Sequence, residues 1–187
     1  MHSVLDHPAL RDQVIPLTVE MYHALGEMGM VQEKTELIQG FVFAKMPKSP
    51  RHFIICQRLL RVIWSALQPG LSVRQEQPIT FGDSEPEPDI AVVRGPDEMF
   101  AQAHPSTAAL VIEVSINSLD RDLEKAGIYA AAGVEEYWMI LPGENAANVY
   151  TLPGPAGYAS VRRVEKDGVL VPGVLPQVSI RLEELLA

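Results

Sequence analysis

Asp89 and Glu113 carry the first chemistry legible in this chain. Asp89 stands in PEPDIAVV, directly before four apolar residues, and Glu113 lies near the end of the apolar run in AALVIEVS. An aspartate at the mouth of a buried strand is poorly solvated and disfavoured by strand propensity, so backbone amides, a cation or a metal must compensate it. If the two runs are neighbouring strands, the carboxylates converge on one side of a sheet. Hard divalent ions want oxygen ligands in near-octahedral geometry and often take one or two carboxylates plus waters. Such an ion lowers the pKa of a bound water and neutralises a phosphate oxygen. Each acid alone has a plainer reading: Asp89 as a capped turn residue, Glu113 as a strand-end charge paired with a basic neighbour.

Lys125 is a third candidate. Asp122 lies three residues before it and Tyr129 four after it, so a helix would put all three on one face. A lysine beside an activated water can position it, accept its proton or stabilise a phosphorane-like charge. Alone on a helix it reads as a solvated surface residue. His52 offers a contact to phosphate or water, or simply a satisfied ring near a helix start. Tyr129 and the Tyr137-Trp138 pair read as packing residues rather than base-stacking platforms, and Cys56 as a small buried hydrophobe.

The elements that must position these residues follow from pattern. In LTVEMYHALGEMG, Thr18 is a plausible N-cap for a short helix closing near Gly26 or Gly29. ELIQGFVFAKM reads as two strands about Gln39-Gly40, a pair suited to the positive φ of a tight hairpin. Ser49-Pro50 opens a long amphipathic helix with Phe53, Ile54, Cys56, Leu59, Leu60, Ile63, Trp64 and Leu67 at helical spacing, stopped by Pro69-Gly70. LSVRQEQPITF is strand-like, GDSEPEP is a loop feeding DIAVV, and AALVIEVS reads as a central strand covered on both faces. Asn117-Ser118 precedes a helix from about Leu119 to Ala132, ended by Gly133. VEEYWMIL and NAANVYTL pair as strands through PGEN. The C-terminal third reads as short strands with a closing helical turn. Helices set between strands favour an α/β or α+β mixed sheet with helices on its faces.

Composition sets the bounds. The length, 187 residues, fits a single domain with a full core, and 47% hydrophobic with 21% charged residues is ordinary for a globular protein. The opening MHSVLDHPALRDQ lacks a signal peptide's basic start and apolar run, and no apolar stretch reaches membrane-span length, so cytoplasmic residence without a membrane partner is the expectation. The single cysteine excludes an internal disulfide and a zinc site built on several thiolates. A net charge of −9 opposes nonspecific attraction to nucleic acid. That charge is uneven. Leu37 to Gln75 holds no acidic residue, yet includes Lys45, Lys48, Arg51, Arg58, Arg61 and Arg74. This segment is either a solvated helix face with its flanks or a surface that faces a polyanion.

With these residues in view, the chain resembles the Uma-two family of restriction-endonuclease-like proteins, long catalogued as a domain of unknown function. The resemblance runs in order through ELIQG (Glu36 to Gly40), His52 in RHFIICQRLL, EPEPDIAVV, ALVIEVSINSLDRDLEKAGIY and AGVEEYWMI, and continues through VYTLPGPAGYASV and DGVLVPGVLPQVSIRLEELLA. It implies a PD-(D/E)xK nuclease core over residues 1–187: a central mixed sheet flanked by helices, with additional C-terminal strands. It further implies that Asp89, Glu113 and the main-chain carbonyl of Val114 ligate Mg²⁺ or Mn²⁺, and that Glu36 contributes an acid from the early segment. Ser115 occupies the place two residues after Glu113, so the usual Glu-x-Lys is absent and Lys125 is carried over by role. The family's helix Asp precedes its Lys by four. Asp122 and Asp120, three and five before Lys125, are both candidates, and Asp122 alone shares its face.

The function implied is a metal-dependent phosphodiester hydrolase, a DNA endonuclease using Mg²⁺-activated water, with His52 and Asp122 in support. The alternative is a catalytically weak or inactive nucleic-acid-binding or regulatory module on the same fold. A homodimer is compatible with either. The sequence has no Gly-x-Ser-x-Gly, Gly-x-x-x-x-Gly-Lys or His-Glu-x-x-His pattern, which argues against the hydrolase and nucleotide-binding classes built on them.

Overall fold

A computed structural model describes residues 13–32 and 34–187, so MHSVLDHPALRD lies outside the described residues. They form two compact units, one running through Lys45 and including Gly82–Glu85, the other Met46–Phe81 with Pro86–Ala187.

In the first unit, α1 (Val19–Glu27) begins where the Thr18 hydroxyl accepts the Met21 amide at 3.2 Å. Strands β1 (Thr35–Ile38) and β2 (Phe41–Ala44) pair antiparallel about Gln39 and Gly40. Both turn residues have positive φ, 49° and 75°, as the hairpin reading requires. Gly40 is needed twice over, since a Cβ there would stand 2.2 Å from Pro16 Cβ.

The second unit is built on a six-stranded mixed sheet in the order β3 (Leu71–Gln75), β4 (Ile90–Arg94), β5 (Leu110–Val114), β6 (Glu136–Leu141), β7 (Ala146–Gly154), β8 (Gly157–Val164). Only β5 and β6 run parallel, and the chain between them includes helix α3 (Leu119–Ala131). Helix α2 (Pro50–Ala66) starts as the pattern predicts, with the Ser49 hydroxyl accepting the His52 amide at 3.2 Å and Pro50 in the first turn. The sheet alternates cleanly. Ile90, Val92, Leu110, Ile112, Val114 and Trp138 join α2 residues in one cluster, and Ala91, Val93, Val111, Tyr137 and Met139 join Tyr129 of α3 in another. A small ladder, β9 (Val169–Leu170) with β10 (Ile180–Arg181), leads into the short α4 (Leu182–Leu186). The Arg58 guanidinium of α2 donates to the carbonyls of Glu184, Leu185 and Ala187.

Three details of the pattern reading change. On α2, Phe53, Ile54 and Trp64 are exposed, while Ile55, Cys56, Leu59, Leu60 and Ile63 are buried. The helix has more apolar positions than the sheet can cover, and periodicity alone does not say which stripe is chosen. The strand expected over LSVRQEQPITF stops at Gln75. In the C-terminal third, β8 is a full eight-residue strand of the central sheet rather than a short one. Tyr137 and Trp138 are wholly buried, as expected of packing residues. Among the described residues no helix is long and apolar enough to cross a membrane.

Candidate active site

Register brings the two carboxylates together. Ile90 pairs with Ile112 across the antiparallel β4–β5 ladder, so Asp89, one step before Ile90, faces Glu113, one step after Ile112. Each acid also accepts a main-chain amide from the other strand's end. Asp89 N donates to Glu113 Oε2 at 3.3 Å, and Val114 N donates to Asp89 Oδ2 at 2.8 Å. Both residues are buried, at 6% and 5% exposure. Backbone and cations therefore compensate an aspartate that would otherwise sit unsolvated at the mouth of a strand.

Asp89 faces α2. His52 Nε2 lies 2.9 Å from its Oδ2, and Lys48 Nζ lies 2.8 Å from its Oδ1. Burial pushes the Asp89 carboxyl up, but His52 and Lys48 outweigh it and hold the group down to about 2. An ionised carboxylate only accepts, so His52 presents Nε2–H, and Nδ1 faces the Cys56 sulfur at 3.6 Å. Burial, and then the charge of Asp89, push the Cys56 thiol well above its ordinary value, which keeps the proton on sulfur. Lys48 also reaches Glu76 Oε1 at 3.0 Å. Burial pulls the Lys48 ammonium down, but Asp89 and Glu76 raise it above its usual value.

Glu113 faces α3. Its Oε1 accepts from Lys125 Nζ at 2.9 Å and from the Tyr129 hydroxyl at 3.1 Å. Alternation along β5 puts Glu113 on the same side as Val111, the side that α3 covers. The helical face predicted for Asp122, Lys125 and Tyr129 is present and wholly buried. Asp122 Oδ2 accepts from the hydroxyls of Ser115 and Ser118, each at 2.5 Å, and these bonds tie the end of β5 to the start of α3. Burial raises the Asp122 carboxyl above its ordinary value despite Lys125 and the two serines. Asp120 is exposed.

The second unit therefore gathers Asp89, Glu113, Val114, Lys125, His52 and Asp122 around the open ends of β4 and β5. Glu36 belongs to the first unit, where it is buried on β1 at 2% exposure. Sequence reasoning missed Lys48, Glu76, Ser115 and Ser118 as neighbours of the acids, and missed the hydroxyl of Tyr129. Of these, the serines carried a signal: Ser-x-x-Ser before a helix with a nearby Asp offers local hydroxyl bonding. At least four of the six basic side chains of Leu37–Gln75 have partners within the protein. Lys48 is engaged by Asp89, Arg58 by the α4 carbonyls, Arg51 by the Pro142 carbonyl, and Arg74 by His104 and the Phe100 ring.

The chemistry of the donor set separates two kinds of ion. Two carboxylates meeting from paired strands suit a hard cation. His52, Cys56 and Asp89 also place possible ligand atoms within 4.8 Å of one another, a softer set. That set is weakened by the protonated thiol, because the thiolate is the metal ligand.

Comparison with known proteins bears on the fold and the family. No curated protein matches the chain. Among solved structures, the chain superposes on one titled "putative nuclease belonging to DUF820", from Anabaena variabilis ATCC 29413, with a TM-score of 0.77 over 91% of this chain and 98% of that one. At 22% identity the likeness establishes a shared fold. The Uma2 family profile, described as "Putative restriction endonuclease", matches residues 19–183 and so takes in both acids, both lysines and every strand of the central sheet. The chain belongs to the Uma2 family.

Proposed function

We propose that the chain is a metal-dependent phosphodiester hydrolase that acts on DNA, working as one restriction-endonuclease-like domain. The observation that carries this reading is the meeting of Asp89 and Glu113 across the β4–β5 ladder, each with a lysine on it. The family match runs through both units and supports treating them as one working domain.

Asp89, Glu113 and the Val114 carbonyl would hold Mg²⁺ or Mn²⁺, because hard ions prefer such oxygen donors. When bound, the ion supplies Lewis acidity, easing ionisation of water and neutralising charge on a phosphate. The protein's own groups do the rest. His52 and the Val114 amide fix Asp89 Oδ2, which sets the direction of the other oxygen. Tyr129 and Lys125 fix Glu113 Oε1, and orienting the attacking water would fall to the Lys125 ammonium. Asp122, clasped by Ser115 and Ser118, anchors the first turn of the helix that carries Lys125. Glu36 enters through the family resemblance, as the acid of the early segment.

Titration calorimetry with Mn²⁺ tests the metal site: binding is expected in the wild type and lost in Asp89→Ala and Glu113→Ala. Intact binding in both variants would remove the reading. Plasmid nicking in Mg²⁺ or Mn²⁺, abolished in a folded Lys125→Ala variant, tests the chemistry. A second reading, a nucleic-acid-binding or regulatory module without turnover, draws on the lysine that already neutralises each carboxylate. Duplex binding without cleavage by highly purified protein would favour it.

A further inference from the structure

The two lysines on the acids are held differently. Lys125 projects from the middle of α3, its side chain 4% exposed, against a Glu113 side chain that is 6% exposed. Lys48 lies in the loop before the Ser49 cap of α2, and its side chain is 32% exposed. It is also shared. Its Nζ bridges Asp89 Oδ1 at 2.8 Å and Glu76 Oε1 at 3.0 Å.

Glu76 has two further peculiarities. It follows the last residue of β3 with φ +52°, the left-handed region that non-glycine residues rarely occupy. Its amide donates to the Asp89 carbonyl at 3.3 Å. Strained backbone of this kind persists where the surroundings over-determine it, and it clusters at functional sites. Here it presents a half-exposed carboxylate to the ammonium that neutralises Asp89.

The oxygens of Asp89 divide in the same way. Oδ2 is locked by a buried histidine and a strand amide, whereas Oδ1 bonds to a flexible, solvent-reaching cation. A divalent ion that uses Asp89 must compete with Lys48 for Oδ1. A lysine with a second partner can yield that oxygen without losing every counter-charge.

Building on the metal reading above, we infer that Lys48 is the exchangeable cation of the site: it yields Asp89 Oδ1 to a divalent ion, is retained by Glu76, and contacts the backbone phosphate of the bound nucleic acid. Glu76 is then a positioning residue for Lys48, and Lys125 a fixed counter-charge of Glu113. The site accordingly has two lysines with separate duties.

Mn²⁺ calorimetry and duplex binding in Ca²⁺, measured by fluorescence anisotropy on a short labelled oligonucleotide, test this together. Removing a competing cation raises metal affinity, so Lys48→Met should bind Mn²⁺ roughly five- to tenfold more tightly and the duplex roughly tenfold more weakly. Glu76→Gln, which leaves Lys48 to Asp89 alone, should weaken Mn²⁺ binding roughly threefold or more. Glu76→Gly should weaken it likewise, which separates loss of the carboxylate from relief of the backbone. Circular dichroism confirms that each variant is folded. Unchanged or weaker Mn²⁺ binding in Lys48→Met, with binding still lost in Asp89→Ala, would overturn the exchange while leaving the metal site standing. A wild-type protein that binds no Mn²⁺ would overturn the metal reading and the exchange with it.

Discussion

Asp89 and Glu113 face each other across one ladder, yet their surroundings differ in kind. Glu113 looks into the layer under α3, where Lys125 and Tyr129 are both buried. Asp89 looks toward the start of α2, where one oxygen is held by buried groups and the other by a lysine that reaches solvent. The first is a closed ion pair and the second an open one. Paired strands alone would have made the acids equivalent; the helix that covers each of them makes the difference.

The comparison breaks most sharply at the closed pair. Glu113→Ala leaves the Lys125 charge buried without its carboxylate, and should cost about 3–5 kcal/mol in urea unfolding. A loss below about 1 kcal/mol would mean that the Lys125 charge is compensated without Glu113 and that the pair is not closed. The open acid is read through pH. The Asp89 carboxyl is held at about 2 in the folded chain against an ordinary 3.8, so its contribution is fully present above about pH 4 and is lost as pH falls toward 2. Wild-type stability should therefore drop on the order of 2 kcal/mol more than that of Asp89→Asn across that window. Parallel pH curves for the two proteins would show that Asp89 gains nothing from His52 and Lys48.

Smaller effects sharpen the contrast. Tyr129→Phe removes one buried hydroxyl bond to Glu113 and should cost about 1 kcal/mol in the same unfolding measurement. Lys48→Met, at a pair a third exposed, should change stability by less than about 1 kcal/mol. A larger loss there would move Lys48 into the class of Lys125.

Much of this architecture is legible in the sequence because the signals are local. Thr18 and Ser49 cap the helices they precede, Gln39-Gly40 makes the turn, and the apolar runs after Asp89 and before Glu113 become β4 and β5. The face shared by Asp122, Lys125 and Tyr129 needs only helical period. What the chain does not reveal depends on partners distant in sequence. Nothing in Lys48 or Glu76 announces that they meet at Asp89, because that meeting requires the β3–β4 register and the placement of α2. Likewise, the burial of Ile55 rather than Phe53 or Trp64 is decided by how α2 lies on the sheet. Glu136 shows the same limit from another direction. A charged residue at the start of β6, it is nonetheless buried and accepts from the Trp138 indole and the Gly173 amide.

The tyrosines give the site an optical connection. Tyr129, whose hydroxyl rests on Glu113, has its ring 5.2 Å from that of Tyr137, which stacks in turn on Tyr150 and Tyr158 at 5.3 and 6.5 Å. Rings this close couple electronically, so a change in the hydrogen bond to Glu113 is expected to alter the near-ultraviolet dichroism of the row. The row thus offers a built-in label for Glu113, and the cation proposed above would be readable there without attaching a dye.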